Sequence, residues 1–469
     1  MAARAQAVVL AAGRGTRMKS ARAKVLHQAL GAPLLEHVLR TVRALPVDPV
    51  TVVVGHQAEA VEAAFAGRGL HFVRQDPPRG TGHALMVARD AIAAHPAKTL
   101  LVVSGDVPLL RPETLLSLLN VHESSRAAAT LLTVELAEPG AYGRVLRGTD
   151  GQVRAIVEAR DASDEERRVR EVNAGIYAFD IALLLPLLSG LQPQNDQAEY
   201  YLTDVVGLLR SAGRSVHALK AADSGEALGV NTVAELGEVS RILRERRVSE
   251  LMAAGVTLED PASTHVGLDV TVEPDAVLRP YTILEGRTTI AGGAVVDPFV
   301  RLVDAEIGAG AQVLDHCLLR ECVVGPGASI GPFAHLRPET HVGARAKVGN
   351  FVELKKTRLG EGAKAPHLSY LGDATIGPRA NIGAGTITCN YDGQTKSPTE
   401  IGAGAFVGSN GTLVAPVKIG AGSYVGAGSV ITENVPEGAL ALGRGRQVVK
   451  PGWAEARARR RELDKKTHE

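Results

Sequence analysis

Cysteine is scarce: Cys317, Cys322 and Cys389 are the only three in 469 residues. Their spacing makes neither a disulfide framework nor a zinc pattern, and they suit a reducing cytoplasm. Aromatic side chains make up 3% of the chain, too few for the platforms on which single-stranded nucleic acid stacks. Neither sign of charge is in excess, with 52 Lys plus Arg against 51 Asp plus Glu. That balance argues against bulk binding to nucleic acid or to an anionic membrane. No apolar run approaches the length of a membrane span. The run Ala7–Ala12 is too short for a secretory signal and leads into a glycine loop. The expectation is a cytoplasmic chain, too long for one compact core and therefore of two or more domains.

What the chain does have is a period. Val272, Leu278, Leu284, Ile290, Val296 and Leu302 recur every six residues, as do Val324, Ile330, Leu336, Val342, Val348 and Leu354, and later Ile401, Val407, Leu413, Ile419, Val425 and Ile431. No helix has that spacing, and an ordinary strand alternates by two. The period predicts a parallel β-helix in which each hexapeptide gives one short strand and one turn, with the aliphatic side chain stacked inward. Many of these residues precede glycine, as in Ile307-Gly308 and Ile376-Gly377, which lets the backbone turn sharply. The solenoid is expected from about Val256 to Val435, with five-residue steps at Leu302–Ile307 and Leu354–Leu359. One departure, Thr388–Glu400, reads as a loop leaving the body, a common place for a binding face. The charged tail beyond Trp453 reads as a solvated or partly disordered end.

The first half reads as α/β. Strands are expected at Gln6–Ala12, Thr51–Val54, Thr99–Val103, Ala128–Leu136, Gly175–Phe179 and Val216–Ala218, and helices at Leu34–Ala44, Ala58–Phe65 and Glu199–Ala212. The alternation favours a parallel sheet with helices on both faces. Thr232–Ala254 reads as an amphipathic helix with Leu236, Val239, Leu243 and Leu251 on one face. It suits a stiff spacer and the last helix of the first domain equally well. The expected boundaries are 1–231, a helical linker 232–254, and 255–469.

The first strand feeds into Gly13-Arg-Gly-Thr-Arg-Met18, where small residues let the backbone approach phosphates and Arg17 can offset their charge. Met18 stands where a dinucleotide fingerprint needs its third glycine, and the ending of a P-loop is missing. The ordered set is more specific. Lys24-Val-Leu-His27, Gln75, Gly80-Thr-Gly-His-Ala84, Ser104-Gly-Asp-Val-Pro108, Tyr142-Gly-Arg144, Ile156-Val-Glu158, Val172-Asn-Ala-Gly175 and Gly229-Val-Asn231 follow in sequence. This set resembles the sugar-nucleotide pyrophosphorylases. With the second half it resembles the bifunctional N-acetylglucosamine-1-phosphate uridyltransferases and glucosamine-1-phosphate acetyltransferases, from about Gln6 to Trp453.

The resemblance implies a Rossmann-like nucleotidyltransferase domain followed by a left-handed β-helix, and a reaction joining a sugar 1-phosphate to UTP with release of pyrophosphate. It implies that Leu10, Ala11, Ala12, Gly13, Gln75, Gly80 and Thr81 line the uridine and phosphate pocket, with Ser104 and Gly105 beside it. Asp106 and Asn231 would hold Mg²⁺ through oxygen, and Gly143, Glu158 and Asn173 would hold the sugar. Arg17 and Lys24 would screen the repulsion between two anions, Arg17 as the catalytic cation. Ala23 stands where the family commonly has proline, which leaves the loop carrying Lys24 less constrained, and Ser104 stands where some members carry a ring.

In the solenoid, hexapeptides alone fit an acyltransferase, a γ-class carbonic anhydrase or a structural spike. His335, His341 and His367 lack the anhydrase spacing. The acetyltransferase reading gives Arg337 and Lys355 the substrate phosphate, Tyr370 and Asn381 the sugar, and His367 the role of general base for a glucosamine amine. The resemblance further implies that Ala384, Asn390, Tyr391, Ser409, Ala427 and Arg444 contact acetyl-CoA, with the prisms assembled as a homotrimer. The expected product is UDP-N-acetylglucosamine, a precursor of bacterial cell-wall and surface glycans. A single-activity nucleotidyltransferase with a structural β-helix, and a nucleotide-sugar-binding scaffold, are the alternatives.

Overall fold

The structure, a computed structural model, describes residues 5–467. The chain forms two compact units. One runs up to Ser249 and includes Val266–Leu268; the other takes Glu250–His265 and the chain from Asp269 onward.

In the first unit the main sheet runs Val216–Lys220, Ala129–Glu135, Glu171–Asp180, Thr99–Ser104, Ala5–Ala11, Val47–Val54, His71–Arg74. Ala5–Ala11 is almost wholly apolar because both its faces are covered. Ala7, Val9 and Ala11 pack with Leu35, Leu39, Leu115 and Leu118 of the helices Leu34–Arg43 and Pro112–Ser125. Val8 packs on the opposite face with Leu85, Leu184 and Val205 from three other helices.

The sheet is not all parallel. Glu171–Asp180 runs antiparallel to both Thr99–Ser104 and Ala129–Glu135. Apolar patterning marks a strand but carries no direction. Here the link from Ala129–Glu135 holds a hairpin, Arg144–Arg147 with Val153–Val157, and one helical turn, Asp164–Arg167. It holds no long crossover helix, so the chain returns beside the strand it left. Ala5–Ala11 is flanked in parallel by Val47–Val54 on one side and Thr99–Ser104 on the other. This divergence makes a topological switch point, and the crevice beyond the strand ends is where such sheets bind ligands.

The helix expected at Glu199–Ala212 begins only at Asp204. Residues before it spend their backbone groups elsewhere. Tyr200 donates its N–H to Arg79 O and accepts from Gly82 N, while Leu202 N donates to Thr81 Oγ1 at 3.1 Å. Helix Val233–Ala253 packs Val239, with no exposed surface, against Leu34, Leu109 and Val230. Up to Ser249 it therefore belongs to the first unit. No helix among the described residues is long and apolar enough to cross a membrane.

The second unit is a left-handed parallel β-helix of short strands stacked in three sheets. Every aliphatic residue of the three six-residue series is buried. Successive coils pair in register, as Val272 with Ile290 and Leu278 with Val296. Five-residue steps shorten a coil yet keep the inward residues paired, as Leu302 with Leu319. Glycine does not make all the turns. At one edge Tyr281, Phe299, His316, Phe333 and Phe351 adopt positive φ of 53–62°, and their rings stack at 4.8–5.3 Å. The stacking offsets a conformation that side chains normally disfavour. The excursion leaves the body after Ile387–Cys389 and rejoins it at Thr399–Ile401. The tail forms a helix, Trp453–Thr467, and not a disordered end. Its Ala, Arg, Glu, Leu and Lys are strong helix formers, and its described side chains are all exposed, as expected of a solvated end.

Candidate active sites

The first site lies at the switch point. Leu10 pairs with Ser104, and Gly105 N donates to Leu10 O at 2.8 Å. The two loops leaving these strands are thereby held together. A Cβ at Gly105 would stand 3.1 Å from Leu10 O, so any larger residue would crowd this approach. Between the loops is a cavity of 440 Å³ lined by Leu10, Ala11, Ala12, Gly13, Lys24, Gln75, Gly80, Thr81, Ser104 and Asp106, all expected there. Gln75 is buried, and its Nε2 donates to Gly80 O at 2.9 Å and meets His83 Nδ1 at 3.0 Å.

Lys24 lines the cavity. Its ammonium pairs with Asp106 Oδ2 and donates to Asn231 Oδ1 at 3.1 Å. A capping box explains how Asn231 gets there. Thr232 Oγ1 accepts from Glu235 N at 3.2 Å, and Glu235 Oε2 accepts from Asn231 N at 2.6 Å and Thr232 N at 2.9 Å. This fixes the start of the long helix, while Val230 N donates to Asp106 O at 2.9 Å. Two oxygens thus converge on one cation, a donor set that fits Mg²⁺, which takes oxygen ligands and keeps several waters.

Gly143, Glu158 and Asn173 form a second cluster, outside the lining of that cavity. Asn173 N donates to Gly143 O at 2.8 Å, and a Cβ on Gly143 would stand 3.5 Å from the Glu158 carboxylate. Asn173 Nδ2 donates to the Tyr177 hydroxyl at 2.6 Å, and Glu158 Oε1 accepts from Thr203 Oγ1 at 3.2 Å. Burial pushes the Glu158 carboxyl up, helped by Asp161 and Asp204 and opposed by the Thr203 bond and Arg144.

Arg17 is exposed on the one-turn helix Thr16–Met18 and does not line the cavity; Arg14 does. Gly15 at φ 60° turns the chain between the two arginines. Both arginines are exposed. Glu199 also lines the cavity. It stands beside the tyrosine whose backbone pins the Gly80 loop, a long-range contact with no local signal.

The second site lies along one edge of the prism. Asn350 pairs with His367, and the same sheet pairs Lys364 with Asn381, Asn381 with Phe406, and Phe406 with Tyr424. Counting three residues on from each places His367, Ala384, Ser409 and Ala427 in one column. Arg444 closes its end, donating to Ala427 O at 2.7 Å. The imidazole is exposed, with its Nδ1 2.6 Å from Asn350 Oδ1. Below it in the column stand only the small side chains of Ala384, Ser409 and Ala427.

On the adjoining sheet Glu353 pairs with Tyr370 and Lys355 with Gly372. Arg337 Nη1 donates to Glu353 Oε1 at 2.9 Å, and Lys355 Nζ reaches Asp373 Oδ2 at 3.0 Å. Both cations meant for phosphate are thus held by carboxylates that the sequence reading left without a role. Asn390 is buried, and its Nδ2 donates to Asp373, while Tyr391 is exposed on the excursion. Burial raises the Asp373 carboxyl, but bonds from Lys355 and Asn390 and the Lys355 charge outweigh it, leaving the pKa below the ordinary value. Lys396, also on the excursion, comes beside Lys355, whose ammonium depresses its pKa. It too was missed, because only the folded hairpin, with Tyr391 bridged to Lys396, turns it back.

Residues 7–172 match the MobA-like NTP transferase domain family, and residues 321–356 match the bacterial transferase hexapeptide family. Relatives named bifunctional protein GlmU align along nearly the whole chain. The protein from Anaeromyxobacter sp. is 50% identical, with 96% of this chain and 92% of the relative covered. That from Koribacter versatilis is 46% identical over 95% and 96%. That from Streptococcus agalactiae is 43% identical over 96% and 97%. The chain belongs to the bifunctional GlmU family. It is a bifunctional enzyme, a uridyltransferase and an acetyltransferase whose joint product is UDP-N-acetylglucosamine, and it acts in cell-wall biosynthesis. Membership of the GlmU family disfavours both the single-activity and the scaffold alternatives.

Proposed function

We propose that the two half-reactions divide between the two clusters. Acetyl transfer takes place at the prism edge. Glucosamine 1-phosphate is held by Arg337 and Lys355 through its phosphate and by Tyr370 and Asn381 through its sugar. His367 removes a proton from the protonated amine, which then attacks the thioester carbonyl of acetyl-CoA. A C–N bond forms, the C–S bond breaks, and the thiolate leaves and takes up a proton. The Asn350 bond supports this role: a proton held on Nδ1 leaves Nε2 with its lone pair. The column of small residues Ala384, Ser409 and Ala427 leaves room for acetyl-CoA, with Asn390, Tyr391 and Arg444 contributing contacts.

Uridyl transfer takes place at the switch point. Leu10, Ala11, Ala12, Gly13, Gln75, Gly80 and Thr81 hold UTP, and Gly143, Glu158 and Asn173 hold N-acetylglucosamine 1-phosphate. A phosphate oxygen of the sugar attacks the α-phosphorus and pyrophosphate leaves. The residues' work is to neutralise charge, with Lys24 and Arg14 lining the cavity and Arg17 on the same loop. Asp106 and Asn231 would hold Mg²⁺, which supplies positive charge against the triphosphate. We assign uridyl transfer to residues 1–231, the link to helix 232–254, and acetyl transfer to 255–469. We further propose a cytoplasmic homotrimer in which the excursion bearing Asn390 and Tyr391 meets a neighbouring copy.

The observation that carries this reading is the convergence of Lys24, Asp106 and Asn231 beside the cavity. Incubating the chain with glucosamine 1-phosphate, acetyl-CoA, UTP and Mg²⁺, omitting one at a time, tests it. UDP-N-acetylglucosamine should form only with all four. With N-acetylglucosamine 1-phosphate supplied, acetyl-CoA should become dispensable; a continued need for it would refute separate sites. Sedimentation at micromolar concentration should give three times the chain mass.

A further inference from the structure

Lys24 opens a one-turn helix, Lys24–Leu26, that has no side-chain cap of its own. The residue before it, Ala23, is 2% exposed, so its N–H has no access to water and needs a partner. That partner is remote in sequence. Ala23 N donates to Gln57 Oε1 at 2.7 Å, and Gln57 Nε2 donates to Ala21 O. One side-chain amide therefore brackets Ala21–Ala23 with a donor and an acceptor, as a paired strand would.

Gln57 is itself held firmly. It adopts φ 56°, ψ 41° at the start of helix Ala58–Ala64, and its carbonyl accepts from Ala60 and Val61. The preceding turn is docked on the first loop: His56 N donates to Ala12 O at 3.4 Å, and a Cβ on Gly55 would stand 2.8 Å from the same oxygen. The other side of Lys24 rests on Gly15, where an added Cβ would stand 2.8 Å from Lys24 Cβ. The lysine stem is thus gripped between the Gly15 backbone and a segment tied to Gln57.

We propose that Gln57 is a positioning residue for uridyl transfer, fixing the segment Ala21–Ala23 and through it the ammonium of Lys24. This rests on the reading of Lys24 as a group that neutralises charge in that reaction. Gln57 does not line the cavity. Its amide is required as a pair of complementary groups: glutamate lacks the donor, and leucine lacks both.

The test uses the full chain and both half-reactions. Gln57→Leu should lower kcat of uridyl transfer by ~10-fold to ~10²-fold, the usual consequence of a misplaced reacting group. KM for UTP should move little, and acetyl transfer should be unchanged. Rescue separates positioning from general damage. Ala23 has φ −54°, already within proline's range, and proline removes the N–H that Gln57→Leu strands. Gln57→Leu with Ala23→Pro should regain most of the lost kcat, because leucine no longer places an oxygen against the proline ring. Lys24→Ala is the reference and should nearly abolish uridyl transfer. Full uridyl transfer by Lys24→Ala overturns the reading of the site and the inference with it. A dead Lys24→Ala beside a fully active Gln57→Leu overturns the inference alone, as does a double variant no faster than Gln57→Leu.

Discussion

His367 and Asn350 face each other across neighbouring coils, with Nδ1 of the ring 2.6 Å from the amide Oδ1. The pairing orients the imidazole, and an Oδ1 acceptor there favours the tautomer with its proton on Nδ1. His367→Ala should cut acetyl transfer by ~10²–10⁴, the span usual for a general base, and leave uridyl transfer intact. Asn350→Ala keeps the base and loses its orientation, so acetyl transfer should fall by ~10-fold or more. Assaying thiol release from acetyl-CoA and pyrophosphate release from UTP on the same preparation checks both. Joint loss of the two activities in either variant would contradict separate sites.

Asp106 and Asn231 meet at one cation, at present the ammonium of Lys24. Asp106→Ala removes the carboxylate from that point. It should abolish uridyl transfer and spare acetyl transfer, the reverse of His367→Ala. A chelator should have the same selectivity in the unaltered chain, and added Mg²⁺ should restore pyrophosphate release. Acetyl transfer that also stopped under chelation would count against confining the metal to the first unit.

The solenoid was legible because its side chains obey an inside–outside rule: every aliphatic of the three six-residue series, from Val272 to Ile431, is buried. The strands of the first unit were legible from their apolar runs, but the reversed direction of Glu171–Asp180 was not, because direction depends on the connection. Within the motifs, Gly105 shows as a close backbone approach to Leu10, whereas the cavity is lined by Arg14 and not by Arg17, a difference the loop sequence does not display. Gln57, Glu199 and Asp373 belong to no local pattern. They matter through contacts to Ala23, to the Gly80 loop and to Lys355, which only folding brings together.

Glu158 gives a pH prediction. Burial raises its carboxyl above the ordinary value, so the folded chain holds that proton more tightly than the unfolded chain does. Its contribution to stability is most favourable below the unfolded pKa and is lost as pH rises through the raised one. Glu158→Gln removes the ionised form. The first unit should therefore melt at a higher temperature than the unaltered one at pH 8, with no such gain at pH 4. The same variant should raise KM for N-acetylglucosamine 1-phosphate. A loss of stability at pH 8 would mean that the Thr203 bond outweighs desolvation.

Gly349 tests how finely the coil stacking sets the second site. It lies between Val348 and Asn350 in strand Lys347–Asn350, which runs against Lys364–His367. A Cβ there would fall on the Pro366 carbonyl and 2.8 Å from Pro366 Cα. Backbone, unlike a side-chain tip, does not step aside, so Gly349→Ala must part the two coils beside His367. Overpacking of this kind costs about 1–3 kcal/mol, which calorimetry should register as a lower melting temperature for the second unit. The parting also stretches the Asn350–His367 bond, so acetyl transfer should fall at least as far as in Asn350→Ala, with uridyl transfer unchanged. Gly310→Ala separates the two effects. Gly310 has φ 64° and nothing within 4 Å of an added Cβ, so the alanine there is strained but displaces no neighbour. It should lower the melting temperature by a similar order and leave acetyl transfer alone. Equal losses of acetyl transfer in the two alanine variants would show that the prism tolerates no strain anywhere, and that the spacing of His367 from Asn350 has no special hold on the reaction.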